Sequence, residues 1–285
     1  MGKYTQIPTD TFEKLQMNAG IICTSFDPST ATASGQIAAT TGGISFSATP
    51  SFLDFGDDID NCPKNTMELK RVDDVEVTLT GTMVTVDTQT AKMLMAAADI
   101  DGSDATKIVP RKYLKDADFS DLWFIGDFSD VNTGNGAGFI AIKLKNVLST
   151  GGFALQTQDK GKGQFAFTFT GHYSINAQDT VPYEVYIKAG VAPDTTLATL
   201  TLGSLTLSPT FNKNTLSYTA TTTDATNTIT ATATDSANAT VVIKNGTTTV
   251  TSGSSATWVT GKNTVTITVT NDGETSVYTV EVTKS

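Results

Sequence analysis

The chain has 285 residues, with 29 acidic against 19 basic side chains and a formal net charge of -10. That balance excludes a grip on nucleic acid by phosphate neutralisation; one histidine and two cysteines exclude a histidine-paired zinc centre and a disulfide framework. The length suffices for one large or two modest domains, each able to bury a core.

Met1 to Asp10 has no apolar core and no run approaches the roughly 18 apolar residues of a membrane span, so the expectation is a protein made in the cytoplasm without a membrane partner. Gly2 is followed by Gln6 where a myristoylation site needs a hydroxyl. Asp10-Thr11-Phe12-Glu13 has capping-box spacing and predicts a short helix that buries Phe12 and Leu15 and ends near Gly20. An extended arm with one helical turn is the alternative. Asp27 to Gly43, rich in Ser, Thr, Ala and Gly, reads as loop. Ile44, Phe46 and Ala48 alternate with Ser45 and Ser47 and predict a strand that stops at Pro50, where a ladder donor is lost. Phe52 to Lys64 sets Asp54, Asp57, Asp58 and Asp60 among Phe52, Leu53, Phe55 and Ile59. Four carboxylates invite a calcium reading, but the spacing fits no known calcium loop, and a solvated acidic loop is expected.

Val75 to Val86 carries apolar residues at every second place (Val75, Val77, Leu79) with Glu76, Thr78, Thr80 and Thr82 between them, the period of a strand with one wet face. At Asp87 the period changes. A helix capped by Asp87 or Thr88 is expected to bury Ala91, Leu94, Met95 and Ala98 and to end at Asp101-Gly102; Asp99, Asp101 and Asp104 then read as a turn. Leu122 to Phe128 is an apolar run of strand length. The GNGAG within Ser129 to Gly138 is followed by a strand, Phe139 to Lys145, so it reads as a hairpin connection and not as a dinucleotide fingerprint. In Gln164 to Tyr173 the side chains of Phe165, Phe167 and Phe169 share one face, which needs a second sheet or the helix to pack against. Val181 to Ala189 supplies a last strand.

After Val191 threonine rises and charge nearly vanishes, which divides the chain into domains 1–190 and 197–285 joined by a short linker, 191–196. Alternation at Thr228 to Thr234 and Thr264 to Thr270, with turns at Asn245-Gly246 and Asn271-Asp272-Gly273, predicts short antiparallel strands. The sequons at Asn238 and Asn245 matter only on a eukaryotic secretory route.

DTFEKLQMNAG at the start, the stretch from Ala39 to Thr82, PRKYLKDADFSDLWFIGDFSD and GGFALQTQDKGKGQFAFTFTGHYS occur in order, and together they resemble the major tail tube proteins of long-tailed bacteriophages and prophages. Leu197-Leu200-Leu202, Leu205-Leu207-Ser208-Pro209, Asn214 to Tyr218, Gly261 to Val265 and Tyr278-Thr279-Val280 resemble the cadherin-like β-sandwich module of bacterial and phage surface proteins. The fold class so implied is mainly β: an N-terminal β-sandwich or barrel with one flanking helix, and a C-terminal Ig-like sandwich.

The tail tube resemblance implies a structural virion protein, six copies closing into rings that stack into a tube, with DNA passing through the lumen unbound. Tail terminator, tape measure and distal tail proteins are the partners it implies, and the phage tail the location. It makes Glu68, Glu76, Thr78, Thr80 and Thr82 candidates for the lumen face. Phe52, Asp54, Phe55, Asp57, Asp58 and Asp60 become candidates for a contact between subunits or rings, and the N-terminal end a candidate contact with a neighbour. The C-terminal sandwich is expected outside the tube, bound weakly to host-surface carbohydrate or serving as a spacer.

No phosphate loop, Rossmann fingerprint, HExxH or GxSxG occurs, and His172 in GHYS reads as structural, so neither catalysis nor a cofactor nor a metal is expected. Cys23 and Cys62 read as reduced, half-buried thiols. Two other classes compete: a bacterial surface adhesin or carbohydrate-binding module, and a carbohydrate-active enzyme with an Ig-like appendage, which requires a carboxylate pair in an aromatic cleft.

Overall fold

The structure is a computed structural model that describes residues 4, 7–129, 131 and 136–285. The chain divides into two compact units after Val191, and both are mainly β. The first contains β1 (Gln16–Asp27), β2 (Thr32–Gln36), β3 (Thr40–Asp54), β4 (Lys70–Met83), α1 (Thr88–Leu94), β5 (Ala98–Ile100) and β6 (Ile108–Pro110). It continues with β7 (Ser120–Phe128), β8 (Phe139–Ser149), β9 (Ala154–Gln156), β10 (Gln164–Gly171) and β11 (Tyr183–Lys188). Hydrogen bonds order them β2-β1-β7-β8-β10-β4-β3, with β11 on β8 and β9 on β10, while β5 and β6 form a separate ribbon.

One strand serves two sheets. Phe139 to Leu144 of β8 lies between β7 and β11, whereas Leu148 and Ser149 at its end pair with Thr170 and Phe169 of β10. The turn from one sheet to the other falls at Asn146, whose φ of 48° is left-handed and suits asparagine. Its backbone N–H donates to Asp121 Oδ1 and its side chain to the His172 carbonyl. Between the two sheets lies a core of Ile22, Leu122, Ile142 and Leu144 from one side and Val77, Leu79, Met83, Phe165, Phe167 and Phe169 from the other. Leu94 of α1 joins this core, in which the three phenylalanines pack with residues of the second sheet. A smaller cluster covers the opposite face of β1, β7 and β8, where Phe26 meets Trp123 and Phe139 edge to face at 5.5 and 4.9 Å and buries Cys23 completely.

Five local expectations change. Phe12–Lys14 is a single 3-10 turn, β1 starts at Gln16, and Phe12 stays 68% exposed, so no helix reaches Gly20. Thr32–Gln36, expected as loop, is β2; all five of its residues are exposed, so the strand rests on backbone bonds to β1 and leaves no apolar pattern. Third, β3 runs through Pro50 to Asp54, because β3 is the last strand in its sheet and the register shifts between Pro50 and Phe52, a place where a missing donor costs little. The helix ends at Leu94: Met95 is its C-cap, Ala96 turns left-handed at φ 60°, and Ala98 is buried as a strand residue opposite Pro110. Finally, β4 spans Lys70 to Met83 and leaves Glu68 in the 3-10 turn Met67–Leu69 before it. Gly2, and Gly134 and Asn135 of the GNGAG loop, lie outside the described residues.

The second unit contains β12 (Leu197–Leu202), β13 (Ser217–Thr222), β14 (Thr226–Ala233), β15 (Thr240–Asn245), β16 (Thr248–Val250), β17 (Ser254–Thr257), β18 (Gly261–Asn271) and β19 (Glu274–Lys284). They form sheets β12-β14-β17 and β13-β19-β18-β15-β16, in which β13 runs parallel to β19 and the other pairs are antiparallel. The alternation of valine and isoleucine with threonine divides each strand cleanly: Val265, Ile267 and Val269 are fully buried while Thr264, Thr266 and Thr268 face outward. Trp258 fills the core and donates from Nε1 to Asn227 Oδ1 at 2.8 Å; the Tyr278 hydroxyl donates to the Lys213 carbonyl and accepts from Leu197 N–H. The Asn271-Asp272-Gly273 turn joins β18 to β19 with Asp272 and Gly273 both left-handed.

Candidate functional site

In β3, β4 and β10 the side chains opposite the core are almost all hydroxyls. Cross-strand register lines them into rows: Ser45 beside Thr80 beside Thr168, then Ser47 beside Thr78 beside Thr170, with Thr49 beside Glu76 at one end and Thr41 beside Thr82 beside Ala166 at the other. These positions are exposed or half-buried, while Phe46, Leu79 and Phe169 form the matching row on the core side. Thr170 Oγ1 lies 2.7 Å from Thr150 Oγ1. Acidic groups enter only toward the hairpin, at Glu76 and at Asp74, which accepts a hydrogen bond from Ser51 Oγ. No lysine or arginine occupies the rows, so they offer no positive charge to a phosphate.

Four of the five candidate lumen residues, Glu76, Thr78, Thr80 and Thr82, share this face, and Glu68 does not. Ser45, Ser47 and Thr49 complete it from β3. Their alternation was visible, but their register against Thr78 and Thr80 was not.

Beyond Val77, toward Lys70, the sheet narrows to two strands. β10 reaches only Val77, so Phe52 opposite Val72, Leu53 opposite Arg71 and Asp54 opposite Lys70 form a hairpin that extends past its neighbour. Its apolar side chains are uncovered: Phe52, Phe55, Ile59, Met67 and Val72 are between 51% and 79% exposed. Phe52 and Asp54 therefore belong to a strand and not to a loop. Asp54 builds the tip, accepting from Gly56 N–H at 3.0 Å and Asn65 N–H at 2.9 Å, and these bonds hold its carboxyl below the usual range. Asp57, Asp58 and Asp60 are exposed, and among the described residues no three His, Cys, Asp or Glu side chains gather at metal-binding distance. Cys62 is partly buried in the same tip beside Thr66.

An ionic cluster that no local sequence pattern announces secures the β5–β6 ribbon. Arg111 donates from Nη2 to Asp118, its Nε lies 2.7 Å from Asp99, and its backbone N–H bonds to the Ala97 carbonyl. The Asp118 side chain is 2% exposed; burial opposes its ionisation, but the bonds from Arg111 and from Lys115 N–H prevail and hold its carboxyl low. His172 sits at the end of β10, its Nδ1 3.1 Å from the Asn146 carbonyl and its ring edge-on to Phe119.

In the second unit the outward faces are threonine ladders, Thr219 beside Glu281 beside Thr264 and Ser217 beside Thr279 beside Thr266. Lys262 pairs with Glu281 at 2.9 Å. A shallow groove there is lined by Asn245, Thr248, Thr249, Ser254 and Thr257, without an aromatic side chain.

Compared with known protein families, residues 200–285 match the cadherin-like β-sandwich domain. No curated protein matches the chain.

Proposed function

We propose that the chain is a non-enzymatic structural subunit whose first unit assembles into rings and a hollow phage tail tube, with the cadherin-like sandwich displayed outside. The observation that carries this reading is the pairing, within one antiparallel sheet, of a cation-free hydroxyl face with a projecting apolar hairpin. A sheet face of hydroxyls and a few carboxylates suits a wall along which a polyanion slides without being held. Exposed phenylalanine, isoleucine and methionine on a two-stranded hairpin suit a contact made only between copies, since burying each such side chain contributes roughly 1.5–3 kcal/mol. Contacts of this head-to-tail kind close into rings and let rings stack. The tail proteins named above are the further partners this reading brings.

Negative-stain microscopy of the purified chain is the test. Annuli or tubes are expected, and deletion of residues 193–285 is expected to leave them intact. A chain that stays a dispersed monomer at every concentration would overturn the assembly.

The match over residues 200–285 favours a second reading, a surface adhesin or carbohydrate-binding module. That reading predicts binding to glycans or cells by the isolated second unit together with no assembly of the first.

A further inference from the structure

Where β8 crosses between sheets, the first unit carries a cavity of about 350 Å³ bordered by the end of β10, the loop after it and the 3-10 turn Asp116–Asp118. This is the small end of the range for ligand sites, room for one sugar ring or an amino-acid-sized group. We propose that it is a saccharide-binding site, independent of the tube assembly and distinct from the second unit.

The argument rests on which atoms donate and which accept. The Asn146 carbonyl only accepts, so the 3.1 Å contact to His172 Nδ1 places a ring proton there, and in the neutral form of the ring Nε2 is then an acceptor. The Asn146 amide nitrogen donates to the His172 carbonyl, which leaves Oδ1 as its acceptor. Asp116, also on the rim, accepts only. Against these acceptors stand donors. The Tyr173 hydroxyl already accepts from Val75 N–H at 2.9 Å, and Ser174 Oγ already accepts from Asn176 N–H at 3.3 Å, so each has its own proton to give. The Asn176 side chain brings both functions.

A mixed set of this kind matches a ligand whose groups both donate and accept, which hydroxyls do. An anion is disfavoured, because the lining holds a carboxylate and no lysine or arginine. Phe119, Tyr173 and Ile175, the last 83% exposed, offer apolar surface for the C–H face of a ring. The second unit's groove at Thr248 to Thr257 has hydroxyls, Val250 and Ala256, but no aromatic ring to stack on a sugar.

The test is a titration of the full chain with the methyl glycosides of glucose, galactose and N-acetylglucosamine, following the His172 imidazole nitrogens and the backbone amides by NMR. At least one glycoside is expected to shift the Nε2 resonance with saturation in the millimolar range, and Asp116→Ala with Asn176→Ala to weaken binding about tenfold. Both positions are exposed, so the variants keep the fold. Three outcomes overturn the proposal: no shift at about 50 mM of any glycoside, shifts unchanged in the double variant, or shifts confined to Thr248–Thr257. None depends on whether rings form.

Discussion

Gly81 and Phe167 face each other across β4 and β10 so closely that a Cβ on Gly81 would lie 2.7 Å from Cζ of the phenylalanine ring. The glycine is the one place in the buried row of β4 where the phenylalanine ladder of β10 needs room. Gly81→Ala is therefore expected to destabilise the first unit by about 1–3 kcal/mol through overpacking. Urea titration measures it. Adding Phe167→Leu should return part of the loss, and a fully additive double variant would show that the two residues do not share that space.

Arg111→Met removes the partner of a carboxylate that is 2% exposed. Stranding a buried charge is costly, and the melting temperature of the first unit should fall by roughly 5–10 °C. Calorimetry of Arg111→Met and of Arg111→Met/Asp118→Leu separates the causes: the double variant recovers most of the fall if the stranded charge produced it.

Bonds from Ser103, through its hydroxyl and its N–H, and from Lys107 lower the Asp101 carboxyl to about 2. A folded-state value below the unfolded one means that the turn's contribution is complete above the ordinary value of 3.8 and is lost as pH falls through about 2. The Ser103 amide resonance should titrate with its midpoint near the lower value. A midpoint at the ordinary value would mean that the turn is open in solution.

Phe55→Ser and Met67→Ser replace side chains 61% and 79% exposed, so they should leave unfolding within about 0.5 kcal/mol of the parent. If the hairpin joins copies, sedimentation of the same variants shows loss of large assemblies. Undiminished tubes would remove the hairpin from the interface.

The two tryptophans, Trp123 and Trp258, lie in separate units and report on them separately. Asn227→Ala leaves Trp258 Nε1 without its buried acceptor and should cost the second unit about 1–3 kcal/mol. In a Trp123→Phe background the fluorescence transition moves by that amount; an unmoved transition would place the indole nitrogen in contact with water.

What the sequence made legible follows from where side chains report on their surroundings. Val77 and Leu79, or Phe165, Phe167 and Phe169, alternate with hydroxyls because one face is dry, and those strands were readable. Thr32–Gln36 contacts solvent with every residue, so its pairing left no trace. Met95 to Ala98 favours a helix by propensity, yet the ribbon opposite Pro110 and the Arg111 bond to Ala97 override it from residues well downstream. The hydroxyl face was half visible: Glu76, Thr78, Thr80 and Thr82 declared themselves, but their neighbours on β3 depend on a register that no single strand encodes. The cavity at His172 joins residues from three separate stretches and had no local signature.

Because β8 is built into both layers of the first unit, one continuous backbone carries any pull that tends to slide one layer along the other. Under tension the layers resist shear through covalent bonds as well as through side-chain packing, and Asn146 is the pivot about which such strain would turn.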